Sequence, residues 1–345
     1  MQSEYDAGAM TTPAFFLDCG TASPQRCGPV SRDLEINGKN RRKRRKTVRF
    51  APLSIASGVV TRFVHVVVTL LLAMQLLGQP ASAQSERWMT LPPTPSLPTP
   101  ASSGKVEVNG AAIWYAVFGS GAPVVLLHGG LANSNYWGNQ VPALAATHQV
   151  IVIDSRGHGR STRSSAPYGY ELMASDVLGV MDKLGVKQAA IVGWSDGAII
   201  GLSLAMHHPD RVARLFAFAA NSDPSGVKDV DKSPVFQQFI ARGEKEYEAL
   251  SATPKEYKKF VEEISSMWAN QPHWTKDDLA KITVPTWIVD ADHDEAIERS
   301  NTELLAGAIP RAVLLLQPEV SHFSMLQAPG QFSDDVLRFL GRTWD

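Results

Sequence analysis

The residues best suited to chemistry are Gly193-Trp194-Ser195-Asp196-Gly197. The apolar run 189–192 leads into them and the small, apolar run 198–205 leads out. That order reads as strand, very tight turn, helix. Gly-x-Ser-x-Gly at such a junction is a nucleophile elbow. Gly193 and Gly197 leave room for the turn, and Ser195 projects from the sheet edge. The helix behind it directs amide N–H groups and its positive dipole end at the place where an alkoxide or oxyanion would form. The reading without chemistry is a Gly-flanked serine in an ordinary strand-to-helix loop.

A serine at neutral pH needs a base, and the base needs an orienting acid. Chains with this elbow supply them in the order Ser, Asp or Glu, His. His322 lies past the apolar run 313–316 and is the only histidine after His293, so it is the expected base. The acid should follow the run 286–289, where Asp290, Asp292 and Asp294 all qualify by position. Asp290 continues the strand and would be sequestered at its end. Asp294 sits furthest into the loop and is preferred, with Asp292 next and Asp223, after the preceding strand, a lesser rival.

An oxyanion hole needs two backbone donors. The amide of Asp196 is one. Gly130, in His128-Gly129-Gly130, supplies the other, with Leu131 as the alternative. Asp196, Trp194, Leu131 and Phe323 are the candidate substrate-contacting residues. The Asp196 carboxylate meets either a substrate ammonium, which would favour α-amino esters, or a protein group, or it caps its own helix. His128 reads as a loop brace, and Arg156 and His158 as stabilisers of a Gly-rich turn. There is no metal-ligand spacing and no Gly-x-Gly-x-x-Gly loop in the domain, so neither metal nor cofactor is expected.

The positioning elements follow from periodicity. Two short alternating runs, 105–108 and 112–117, flank Asn109-Gly110, a hairpin signal. Continuous apolar runs at 123–127, 150–153, 189–192, 212–220, 286–289 and 313–316 read as buried strands. Helices are expected at 136–146, 170–184, 297–306 and 332–340, which alternate with the strands and imply a mainly parallel sheet covered on both faces. Residues 222–276 interrupt the alternation with helical segments at 234–242, 244–251 and 255–269. They read as a helical cap over the site, in which Phe236, Phe239, Phe260, Met267 and Trp268 line a pocket or form the cap's own core.

The 345 residues are 44% hydrophobic and 19% charged with a net charge of −1, enough for a large core and unsuited to a nucleic-acid partner. The two cysteines, Cys19 and Cys27, precede the folded region. Residues 1–83 combine a basic block, 41–46, a short apolar run, 64–77, and Ala81-Ser82-Ala83. These describe a secretory signal peptide, cleaved before Gln84, and an exported protein without stable membrane association. An uncleaved anchor is the alternative. Residues 84–103 form a Pro-rich linker, expected to be extended and unpacked, and 104–345 the folded domain.

Taken together, His128-Gly129-Gly130, Asp154-Ser155-Arg156-Gly157-His158-Gly159-Arg160-Ser161, the elbow, Asp292-His293-Asp294 and Ser321-His322-Phe323 resemble the α/β-hydrolase superfamily. The elbow is most similar to the valacyclovir-hydrolase-like (biphenyl-hydrolase-like) branch. The resemblance implies a mostly parallel eight-stranded sheet flanked by helices, a Ser195–Asp294–His322 triad and no cofactor. One position departs from it: Ala291 stands where many relatives have Gly. The activity expected is hydrolysis of small to medium carboxylic esters, thioesters or lactones through an acyl-enzyme. A cofactor-free perhydrolase or haloperoxidase, or a carbon–carbon bond hydrolase, uses the same triad, and a non-catalytic ligand-binding module is the remote alternative.

Overall fold

The computed structural model describes residues 86–344. The signal-peptide expectation for residues 1–83 lies outside them. The elements run β1 (Ser102–Val108), β2 (Ala111–Phe118), β3 (Ala122–Leu127), α1 (Val141–Ala145), β4 (His148–Ile153), α2 (Tyr170–Lys183), β5 (Ala189–Trp194), α3 (Asp196–His207) and β6 (Val212–Phe218). Then follow α4 (Pro234–Leu250), α5 (Tyr257–Asn270), α6 (Lys276–Leu279), β7 (Thr286–Ala291), α7 (Arg299–Ala308), β8 (Ala312–Gln317), α8 (Ser324–Gln327) and α9 (Pro329–Gly341).

The strands form one eight-stranded sheet in the order β1-β2-β4-β3-β5-β6-β7-β8. β1 and β2 are antiparallel, β2 pairs antiparallel with β4, and the remaining pairings are parallel. The β1–β2 hairpin turns on Asn109 and Gly110, at φ 50° and 72°. Positive φ at both central residues gives the twist that an antiparallel ribbon needs. The central strands are buried on both faces: Val124–Leu127, Ile151, Val152, Ile191 and Val192 are all fully inaccessible. This explains why they read as unbroken apolar runs. The site-bearing loops all leave the same carboxyl ends of these strands.

Three expectations are corrected. The helix expected at 136–146 is a 3₁₀ turn, Ser134–Trp137, followed by the five-residue α1. Pro142 sits in the first turn of α1, where proline can only begin a helix. The segments 234–242 and 244–251 are one continuous helix, α4. Gly243 does not break it; a Cβ there would lie 3.1 Å from the Tyr257 hydroxyl and 3.2 Å from the Leu131 carbonyl. The glycine lets α4 press close to its neighbours.

The linker is the third correction: it is extended, but it is packed. Leu91 and Leu97 pack against the core. Arg242 Nη1 and Nη2 donate to the carbonyls of Pro92 and Leu91 at 2.6 and 2.9 Å. A proline-rich segment needs no backbone partners of its own kind, which suits it to being held by side chains that reach its carbonyls.

Candidate active site

Ser195 occupies the junction of β5 and α3 with φ 54° and ψ −121°, a left-handed conformation that costs a non-glycine residue energy. The strain is locked in from both sides. Its N–H donates to the Phe218 carbonyl at 2.9 Å, and its own carbonyl accepts from Ala198 and Ile199 at 2.8 and 3.0 Å. A Cβ at Gly193 would collide with the Gly197 carbonyl, and one at Gly197 with the Leu127 carbonyl. Ser195 itself remains partly exposed, and among the described residues its hydroxyl makes no hydrogen bond.

His322 follows β8 and is buried, 2% exposed. Its Nδ1 lies 2.9 Å from Asp294 Oδ2, and in the neutral ring with Nδ1–H donating to that oxygen, Nε2 is able to accept a proton. Asp294 Oδ1 accepts from the amides of Ala296 and Ile297 at 2.7 and 2.8 Å. Burial alone would raise the Asp294 carboxyl. The facing His322 charge, the ring hydrogen bond and the two amides outweigh it and hold Asp294 below the usual range. Burial likewise pulls His322 down, and Asp294, Glu295 and Asp290 together bring it above its ordinary value.

The rival acids have other partners. Asp292 is exposed, and its oxygens accept from the amides of Glu319 and Val320 at 3.0 and 3.3 Å. Asp290 is buried at the end of β7, where Thr302 Oγ1 donates to it at 2.6 Å. Burial and the neighbouring Asp294 raise it to about 8. Asp223 pairs at the surface with His273 Nδ1 at 2.6 Å.

A Cβ on Gly130 would lie 2.6 Å from Asp196 Oδ2 and would run into the Trp268 ring. Leu131 follows at φ 58°, an unusual conformation for a bulky residue. Among the described residues, the amides of Gly130, Leu131 and Asp196 donate to no protein acceptor. The Asp196 side chain does not cap its helix, and among the described residues it forms no salt bridge. Trp268 Nε1 donates to both of its oxygens at 2.9 and 3.0 Å, and the Tyr170 hydroxyl to Oδ1 at 2.9 Å. Burial, only partly offset by these two donors and the His322 charge, raises Asp196 to about 6.

Trp194 and Phe323 are buried beside His322. The Trp194 ring lies 5.8 Å from His322 and 5.9 Å from Phe323, and the two rings form the wall that fixes the imidazole. Leu131 is buried beneath α4. The five inserted apolar residues divide: Phe239, Phe260 and Met267 are fully buried packing, whereas Phe236 and Trp268 are half-buried. Phe236 lies 5.7 Å from the His322 ring, and Trp268 reaches Asp196.

The residues read from the sequence as braces do brace. Ser155 N–H donates to His128 Nε2 at 3.0 Å, so the proton sits on Nδ1, which donates to the Gly129 carbonyl at 2.7 Å. Arg156 forms a buried ion pair with Asp176 at 2.6 Å. His158 is pushed down to about 3, chiefly by burial.

Glu295 was not foreseen. Its Oε2 accepts from the His322 amide at 2.9 Å and its Oε1 from Ser321 Oγ at 3.2 Å. Nor were Tyr170 and Trp268 as partners of Asp196. The sequence carried no signal for either, because both contacts join elements far apart in the chain.

Residues 122–254 match the family model for the α/β hydrolase fold. A solved structure described as Est816, an N-acyl homoserine lactone degrading enzyme, is 30% identical; the match covers 68% of this chain and 99% of that one, with a TM-score of 0.56. The chain belongs to the α/β-hydrolase superfamily. The putative carbamate hydrolase RutD of Azorhizobium caulinodans is 29% identical over 253 residues, covering 67% of this chain and 96% of that protein. A meta-cleavage product hydrolase of Pseudomonas fluorescens IP01 shares the fold at 21% identity, 70% and 97% coverage and a TM-score of 0.60. This α/β hydrolase is therefore an enzyme of the hydrolytic kind.

Proposed function

We propose that the enzyme is a serine hydrolase acting on small to medium carboxylic esters, open-chain or cyclic, through an acyl-enzyme. The observation that carries this reading is the buried His322–Asp294 pair, packed against the ring of Trp194, the residue before a serine held in a strained elbow. His322 Nε2 takes the Ser195 proton as Oγ attacks the ester carbonyl carbon. The carbonyl oxygen becomes an oxyanion and settles on the uncommitted amides of Asp196 and Gly130. The tetrahedral centre collapses, the alkoxide leaves with the proton from His322, and an acyl-Ser195 ester remains. Water then repeats the sequence and releases the acid. Among relatives, the lactone-degrading description of Est816 favours including cyclic esters.

The decisive experiment is labelling with a fluorophosphonate, followed by peptide mapping and an ester panel graded by acyl length. Rapid, stoichiometric labelling at Ser195 that Ser195→Ala abolishes is the expected result. Slow labelling, or labelling elsewhere, would overturn the reading.

We further propose that residues 1–83 direct export and are removed before Gln84. The basic block, apolar run and Ala81-Ser82-Ala83 support this. Mass spectrometry of the native protein should find Gln84 at its N-terminus, and a form retaining the basic block would contradict it.

A further inference from the structure

The packed segment 86–97 touches the candidate site from behind at several places. The Trp88 indole lies flat on the His293 imidazole, ring centroids 3.9 Å apart and planes 3° from parallel. His293 directly precedes Asp294, and its amide donates to the Val320 carbonyl at 3.2 Å, tying it to the loop that carries His322. Two residues on, the Thr90 carbonyl accepts from Gln327 Nε2 at 2.8 Å. The same carboxamide grips the residue before the base: its Oε1 accepts from the Ser321 amide at 2.7 Å, and Nε2 donates to Ser321 Oγ at 2.9 Å. Gln327 is 8% exposed, so this is an internal junction. Further along, Arg242 of α4 holds the Leu91 and Pro92 carbonyls, and Thr94 Oγ1 donates to Glu246 on the same helix. Glu246 Oε2 in turn accepts from Asn133 Nδ2, at 2.8 Å, in the loop that follows Gly130.

One extended segment thus joins the acid loop, the base loop, the oxyanion loop and the helix above them. We propose that residues 86–97 are a strap that positions His322 against Asp294, acting through Gln327 and Trp88, and holds α4 in register with them through Arg242. The physical case is one of leverage. His322 and Asp294 sit on two separate loops, and a misplacement of about 1 Å between reacting groups can cost on the order of a hundredfold in rate. Glu295 already links the two loops. The strap adds a second link between them and ties both to α4 through Arg242 and Glu246. Its own cost is low, because proline-rich chain gives up little conformational freedom when it is ordered.

The proposal rests on the triad reading for its catalytic consequence, so its test needs a signal that does not depend on catalysis. The imidazole of His322 provides one. The charged or titratable groups facing it are Asp294, Glu295, Asp290 and Asp196, with the ammonium of Lys228 on the Asp294 carbonyl at 2.6 Å as the near cation. The carboxylates favour the protonated ring, so loosening the pair lowers its midpoint toward that of a free histidine.

In the full-length enzyme, Trp88→Ala and Gln327→Ala would be compared with Trp88→Phe, which keeps an aromatic face on His293. The His322 ring would be titrated by NMR, and kcat and KM measured on a short ester. The expected result is a lowered His322 midpoint in both alanine variants and a fall in kcat of about tenfold with KM little changed. Trp88→Phe should recover most of both. If the alanine variants melt earlier but keep the wild-type midpoint and kcat, the segment is only a structural tether and the proposal is wrong. If wild type fails to label at Ser195, the triad reading falls, and the titration still decides whether the strap positions His322.

Discussion

Asp294 holds His322 with a carboxylate that has no freedom to turn. One oxygen accepts from the ring Nδ1–H at 2.9 Å, and the other is fixed by the amides of Ala296 and Ile297 at 2.7 and 2.8 Å. An asparagine at 294 that keeps its oxygen on those amides must turn its NH₂ toward Nδ1. The ring then carries its proton on Nε2, and the base is lost. Asp294→Asn is expected to lower kcat by about 10⁴ while leaving the fold intact. Asp292→Asn, at an exposed site whose oxygens serve the 319–320 backbone, should leave kcat within about threefold. Steady-state kinetics on a short-chain ester separates them, and a crippled Asp292→Asn enzyme would mean the acid is misassigned.

The same pair sets the pH dependence. His322 must be neutral to act as base, and the surrounding carboxylates hold its midpoint above the ordinary 6.5. Hydrolysis should therefore rise with pH through a midpoint above 6.5 in kcat/KM, which reports the free enzyme. Removing the Asp294 charge moves that midpoint down. A wild-type midpoint at or below the ordinary value would show that burial outweighs the carboxylates.

Gly130 is confined by chemistry that its neighbours impose. A methyl group there would press on Asp196 Oδ2 at 2.6 Å and on the Trp268 ring. Gly130→Ala must displace the oxyanion loop or the Asp196–Trp268 contact. A loss of about a hundredfold in kcat is expected, the scale of one missing oxyanion donor. Phosphonylation of Ser195 should slow in parallel, since that reaction also builds negative oxygen. Unchanged kcat would place the second donor elsewhere, with Leu131 the first candidate.

The elbow turn and the eight strands were legible because each rests on local pattern. Apolar runs report two-sided burial, and the elbow's glycines report a turn that admits no side chain. What was not legible is contact across sequence distance. Residues 84–103 read as an unpacked linker because composition describes a segment's own stiffness and says nothing of Arg242 or Gln327, which wait more than a hundred residues on. Gly243 looked like a helix break because a lone glycine is usually weak helix, whereas here close approach to Leu131 decides. The carboxylates after β7 were ranked only by reach. The backbone amides that actually separate Asp294 from Asp292 belong to loop geometry, which the residue types do not encode.

Asp196 offers the sharpest remaining test, because its side chain is buried and its hydrogen-bond donors, Trp268 and Tyr170, are neutral. Burial raises it to about 6 from 3.8. The sign follows: the native state binds the proton more tightly than the unfolded chain. Asp196 therefore costs little stability at low pH, and its cost grows as pH rises from the unfolded value through about 6 and is complete above it. The shift corresponds to about 3 kcal/mol at neutral pH, as an order of magnitude. Asp196→Asn, which keeps an acceptor for Trp268 Nε1, should melt higher than wild type at about pH 8, and the difference should shrink toward about pH 4. If the carboxylate is retained to meet a substrate ammonium, that cost has a function. Wild type would then prefer an α-amino acyl ester over its des-amino analogue by at least about tenfold, and the asparagine variant would lose the preference while keeping activity on the neutral ester. Equal rates on both esters in wild type would show that Asp196 serves only to hold Tyr170 and Trp268 in place.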